Sequence, residues 1–185
     1  MLFFERVHKF LNYLDDKIGE GFLGQMPNDL RSYIYTNWLK LAGAKIGKGS
    51  RVHFKVKVWI PKNITIGDGV KVPSSTDMAG MGKITIGDFT LIGANVSFIT
   101  NHHPIEDENL SWYEVLGGTQ KDITIGKYCW LMNNTTIVAG HSGLKVGDYS
   151  WVTTGAVVTK DISDCESWGG IPAKFIRKIV PRQQE

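Results

Sequence analysis

Apolar residues recur along most of this chain at steps of six. This is neither the two-residue step of a half-buried strand nor the three-to-four step of an amphipathic helix. The clearest series are Ile86, Ile92, Phe98; Ile125, Leu131, Ile137; and Val146, Val152, Val158. Ile46, Val52, Val58 and Ile66, Val72, Met78 fit the same template. Each series opens on an aliphatic residue followed by glycine: Ile46-Gly47, Ile66-Gly67, Ile86-Gly87, Ile125-Gly126 and Val146-Gly147. The openings are spaced by 20, 20, 39 and 21 residues. A unit of three hexapeptides, 18 residues, therefore repeats about five times, with two, two and three extra residues and one insertion of 21. Each hexapeptide supplies a short strand and a turn, and three of them close a triangular coil. The large apolar residue points inward and stacks on its counterparts in the next coil. Five coils at the usual strand spacing stand about 24 Å tall. An antiparallel sandwich predicts turn signals about every 8–12 residues and period-two alternation, and leaves the shared base unit unexplained.

The repeat covers residues 44–163. Residues 1–43 lack it and read as an N-terminal helical cap, with Phe3, Phe4, Val7, Leu11 and Leu14 at helical spacing. After Pro27, Asn28 or Asp29 caps a second helix, with Leu30, Tyr33, Ile34, Asn37, Trp38 and Leu41 along one face. Such helices would cover the apolar side chains and unpaired edges of an open coil. The C-terminal segment, 164–185, leaves the repeat. Its apolar and basic residues from Ile171 to Lys178 fall at roughly helical spacing, which predicts a C-terminal helix. The surplus of the third coil makes a loop over 99–122 that holds His102, His103 and the carboxylates Glu106, Asp107 and Glu108. An insertion this long in a regular prism is a candidate site.

Composition narrows the classes. The chain has 185 residues, 42% hydrophobic and 21% charged, which excludes a disordered chain. Its 21 glycines have no three-residue period, which excludes collagen. Cys129 and Cys165 are too few for a disulfide framework or a four-cysteine zinc site. No apolar run approaches the roughly 20 residues of a membrane span, and no signal-peptide cleavage pattern follows the first residues. The expected location is the cytoplasm. A net charge of +3 gives no argument for nucleic acid.

The hexapeptide pattern resembles the hexapeptide-repeat acyltransferases, whose fold is a left-handed parallel β-helix. The resemblance, not the spacing, supplies the hand. The stretch Thr100-Asn101-His102-His103-Pro104 resembles the T-x-x-H-P segment of maltose/galactoside-type and polysaccharide O-acetyltransferases. By that resemblance His103 is the catalytic base, with His102 as the alternative. An imidazole titrates near neutrality, so it can take the proton of an acceptor hydroxyl attacking a thioester and pass it to the leaving thiolate. Glu106, Asp107, Glu108 or a backbone carbonyl would fix its tautomer, and Glu106 is also a candidate acceptor contact.

Other positions carry over singly. Asn95 matches the acceptor-contacting asparagine of the galactoside-type enzymes; its simpler use is a left-handed turn. Trp130 matches the tryptophan near the acyl and pantetheine portion, and Asn133 falls where a backbone N–H would meet the oxyanion. Gly155 and Ala156 resemble the small pair admitting the pantetheine arm. Lys160, Lys174 and Arg177, with Lys178, have an electrostatic use against coenzyme A phosphates. Two departures stand out: Met132 replaces a glycine of the usual pattern, and His141-Ser142-Gly143 is extra. The resemblance implies an O-acetyltransferase moving acetyl from acetyl-CoA to a sugar or polysaccharide hydroxyl in a homotrimer, without metal. The alternatives are acetylation of an antibiotic hydroxyl, a non-catalytic coil, and a γ-type carbonic anhydrase. The last needs two histidines five apart, a pair missing here.

Overall fold

The computed structural model describes residues 26–102, 119–140 and 142–180. Short parallel strands stack on three faces. The first face runs Lys45–Ile46, Ile64–Ile66, Ile84–Ile86, Ile123–Ile125 and Leu144–Val146. The third runs Lys57–Val58, Asp77–Met78, Ser97–Ile99, Thr136–Val138 and Val157–Val158. The second is split. Arg51–Val52 pairs with Lys71–Val72, while Leu91–Ile92, Trp130–Leu131, Trp151–Val152 and Glu166–Gly170 form a separate sheet.

The six-residue rows are the register of these ladders. Ile46, Ile66, Ile86, Ile125 and Val146 stand opposite one another in turn. So do Ile92, Leu131 and Val152, and Phe98, Ile137 and Val158. Nearly all are buried in one continuous core, with Ile46 and Ile92 partly buried against it. Beyond the expected coils, a bridge from Val146 to Ile162 opens one more rung. The repeat did not announce it, because Ser163 stands where the other openings carry glycine.

The glycine of each opening pair is needed for stacking. A Cβ on Gly87 would stand 2.6 Å from the carbonyl carbon of Gly126 in the coil above. The left-handed backbone comes two residues later, at Gly49, Gly69, Phe89, Tyr128, Tyr149 and Cys165. The aromatic members stack as a ladder, Phe89 on Tyr128 at 5.4 Å and Tyr128 on Tyr149 at 5.0 Å. That contact helps offset the strain of a side chain in this region.

Two expectations are corrected. The C-terminal segment is no helix: Ala173–Lys178 is a strand, antiparallel to Glu166–Gly170. Alternation of apolar and basic residues suits a strand edge equally, and the deciding partner lies outside the segment. The second expected helix forms as α1, Asn28–Leu41, but Pro27 occupies its N-cap and its buried face is Ser32, Tyr35, Thr36 and Leu39. Leu30, Tyr33, Ile34 and Leu41 are exposed. An open coil presents backbone polar groups as well as apolar surface. Thr36 answers them by accepting from the Val52 N–H at 2.9 Å, while its own proton goes to the Ser32 carbonyl one turn back at 2.7 Å. Tyr35 donates to the Val56 carbonyl at 2.8 Å. The first expected helix lies outside the described residues.

Candidate active site

The long loop leaves the prism on a fixed stem. Asn101–His102 pairs antiparallel with Thr119–Gln120. Thr100 below it is fully buried, and its hydroxyl accepts the Gly82 N–H at 3.1 Å. The Asn101 side chain accepts the Met81 N–H, also at 3.1 Å. The path of the loop's base is therefore set by the coil beneath. His103, Glu106, Asp107, Glu108 and His141 lie outside the described residues, as does the side chain of His102.

The corner between the second and third faces gathers four other sequence candidates. The Asn95 side chain donates to Asn134 at 3.0 Å, and its backbone N–H donates to the Ser75 hydroxyl at 2.8 Å. Asn133 accepts the Ala94 N–H at 2.9 Å, and the Gly155 N–H donates to the Asn133 carbonyl at 2.9 Å. Asn95, Asn134 and Gly155 all have left-handed backbone. Ala156 is fully buried. The asparagines thus have a structural use, each closing a turn and stapling it to the next coil. That use leaves the exposed edges of Asn95 and Asn133 facing solvent on one corner.

The second face carries the aromatic and basic groups. Trp130, 41% exposed, stands opposite Leu91 on one side and Trp151 on the other. The Arg177 guanidinium lies over Trp151, 5.7 Å from its ring centre. Lys174 is exposed on the same strand pair, opposite Gly169. Lys160 is not among them. It sits exposed beyond Val157–Val158, on the corner where the loop stem and the Gly140–Gly143 bridge also fall. Met132 causes no break: it keeps an ordinary backbone and its N–H donates to Val152 at 3.0 Å.

No protein-family model matches the chain. WcaF of Escherichia coli K12, assigned by name to colanic acid biosynthesis as an acetyltransferase, is 30% identical over 142 residues, covering 77% of this chain and 73% of its own. The chain belongs to the hexapeptide-repeat acetyltransferase family. Galactoside O-acetyltransferase of the same strain is 31% identical over 141 residues, 76% of this chain and 66% of that protein. A hexapeptide-repeat acetyltransferase of Vibrio cholerae superposes with a TM-score of 0.74 at 24% identity, covering 96% and 93% of the two chains. Its acetyl-CoA complex superposes at 0.65 with 25% identity, covering 85% and 81%. The left-handed β-helix implied by the family resemblance is the fold, and the protein is an acetyl-CoA-dependent acyltransferase.

The surface of this acetyltransferase suits that co-substrate. Acetyl-CoA offers a long, thin pantetheine arm and several phosphates. Nothing lies within 4 Å of a Cβ built on Gly155, so the corner is open there. Half-exposed indole and exposed cations share the adjoining face. Among the described residues, no three His, Cys, Asp or Glu side chains converge as a metal site. No described helix is long and apolar enough to cross a membrane.

Sequence reasoning missed Trp151 and the cross-strand pair of Arg51 and Lys71. The repeat contained the signal. Trp151 follows Trp130 by 21 residues and Lys71 follows Arg51 by 20, the local spacings of the coils.

Proposed function

We propose that this acetyltransferase is an O-acetyltransferase that moves acetyl from acetyl-CoA to a hydroxyl of a sugar or polysaccharide. The observation that carries this reading is the identity with galactoside O-acetyltransferase and WcaF across three quarters of the chain. His103 takes the proton of the attacking hydroxyl, the thioester carbonyl becomes a tetrahedral oxyanion, and the same proton leaves with the coenzyme A thiol. The backbone N–H at Asn133 is the candidate oxyanion donor. Trp130 and the open corner at Gly155 and Ala156 hold the pantetheine arm. Arg177 and Lys174 meet phosphates from the second face, and Lys160 does so from its own corner. Asn95 and Glu106 contact the acceptor. The flat faces of the prism suit side-by-side packing as a homotrimer, with the site between neighbours.

The test is release of coenzyme A from acetyl-CoA with a panel of sugars, nucleotide sugars, amino sugars and antibiotic alcohols. The reading holds if saccharide hydroxyls react and the product is alkali-labile, as an ester is. An alkali-stable amide, or turnover with antibiotic alcohols alone, overturns it. Sedimentation at working concentration tests the trimer.

A further inference from the structure

Between the second and third coils the hydrogen-bond ladder of the second face is interrupted. The Lys71–Val72 strand pairs with Arg51–Val52 below it but has no strand pairing with Leu91–Ile92 above. Pro73 accounts for part of the break, because it has no N–H to donate. At the equivalent position of the flanking coils, His53 donates to Val72 at 3.0 Å and Gly93 to Leu131 at 2.7 Å. Val72, Pro73 and Ile92, at this interruption, line a cleft of about 440 Å³ together with Asp29 and Ser32 of α1. Arg51, His53 and Lys71 line it, with Asp29 as the one carboxylate.

The two cations of the cleft are placed against each other. Arg51 and Lys71 stand directly opposite on neighbouring strands, where like charges repel. The equivalent pair on the third face, Lys57 and Asp77, has opposite signs. Arg51 donates to the Asp29 carbonyl at 3.4 Å and its guanidinium lies 5.9 Å from the Tyr33 ring centre. The Asp29 carboxylate stands 3.7 Å from Arg51 with its side chain 95% exposed, a geometry that contributes little in water, and none of these contacts reaches Lys71. Burial first, and then the charges of Lys55 and Arg31, hold the pKa of His53 below its ordinary value, which favours the uncharged imidazole with its hydrogen-bonding edge. Two cations and an imidazole edge around one cleft are groups of the kind that recognise an anion. The cleft also adjoins the corner of Asn95: Ile92 lines it, and Pro73 lies two residues before the Ser75 that holds the Asn95 N–H.

We propose that this cleft receives an anionic group, carboxylate or phosphate, of the acceptor, and that Arg51 and Lys71 select acidic over neutral saccharides. This rests on the saccharide O-acetyltransferase reading above.

The test has a binding arm and a kinetic arm. Binding of methyl glucuronide, methyl glucoside and inorganic phosphate to the full chain is measured by calorimetry for the wild type, Arg51→Gln and Lys71→Gln. Coenzyme A release is measured with the two glycosides. The expected result is anion binding that weakens about tenfold in each variant, the scale of one charge-assisted hydrogen bond. The ratio of kcat/KM for the acidic over the neutral glycoside falls with it. A preference for the glucuronide points to uronic-acid acceptors, and one for phosphate to phosphorylated acceptors. Anion affinity unchanged in both variants overturns the proposal whatever the activity. A rise in KM for acetyl-CoA alone also overturns it, because the cleft would then serve the coenzyme. Anion binding lost in the variants, with neither glycoside nor any panel saccharide acetylated, keeps the anion site and overturns the saccharide reading beneath it.

Discussion

Trp130 and Trp151 stand directly opposite each other on adjacent parallel strands, their rings 6.0 Å apart and edge-on at 74°. Trp151 in turn lies under the Arg177 guanidinium at 5.7 Å. One ring therefore touches both the indole proposed for the pantetheine arm and the cation proposed for the phosphates. Each contact is worth about 0.5–1.5 kcal/mol. Trp151→Ala is expected to raise KM for acetyl-CoA by about threefold to tenfold, with little change in KM for the acceptor. Steady-state kinetics with each substrate varied checks it. An unchanged KM for acetyl-CoA would place the coenzyme elsewhere.

The opening glycines make a sharper stability prediction than composition alone allows. At Gly87 the added methyl meets backbone of the next coil, which cannot move without shifting the whole ladder. At Gly140 nothing lies within 4 Å and no left-handed φ is required. Gly87→Ala is expected to cost about 1–3 kcal/mol, lowering Tm by about 3–10 °C, while Gly140→Ala stays within about 0.5 kcal/mol. Thermal unfolding of the two variants side by side decides it, and equal Tm values would refute the stacking argument.

The core was legible because one steric rule repeats. A large side chain every sixth residue fills the prism, so Ile86, Ile92 and Phe98 declared their direction without any knowledge of their neighbours. The flanks obey no such rule. In α1 the apolar count pointed to Leu30, Tyr33 and Ile34, but the coil end needed the hydroxyls of Tyr35 and Thr36. The strand Ala173–Lys178 depends on Glu166–Gly170, a non-local partner that spacing within the segment does not reveal. The cleft was half legible. The 20-residue spacing sets Arg51 against Lys71, but the interruption at Pro73 is seen only in the ladder itself.

The loop histidines are separable by substitution. If His103 removes the acceptor proton, His103→Ala loses acetyl transfer by about 100-fold or more, in line with the typical contribution of a positioned base. Coenzyme A binding, followed by calorimetry, is expected to persist. His102→Ala is expected to retain most turnover. The reverse pattern moves the base by one residue, and two active variants move it out of the loop.

The C-terminal strand pair carries an acid-sensitive tie. The Glu166 carboxylate accepts from Lys178 Nζ and from Trp168 Nε1, both at 2.8 Å. The Lys178 bond first, and then the Trp168 bond, hold its pKa below the ordinary value of 4.5. Folding therefore favours the ionised form. The stabilisation is complete above the unfolded pKa, near 4.5, and is lost as the pH falls through the lower folded value. Lys178 is 65% exposed, so the effect is modest. Glu166→Gln keeps the shape and removes the titration. At neutral pH the wild type is expected to melt above the variant, and the gap should close between about pH 5 and 3. Melting curves for both proteins across that range provide the measurement. A gap that stays constant with pH would mean that the carboxylate charge does not hold the strand pair to the end of the prism.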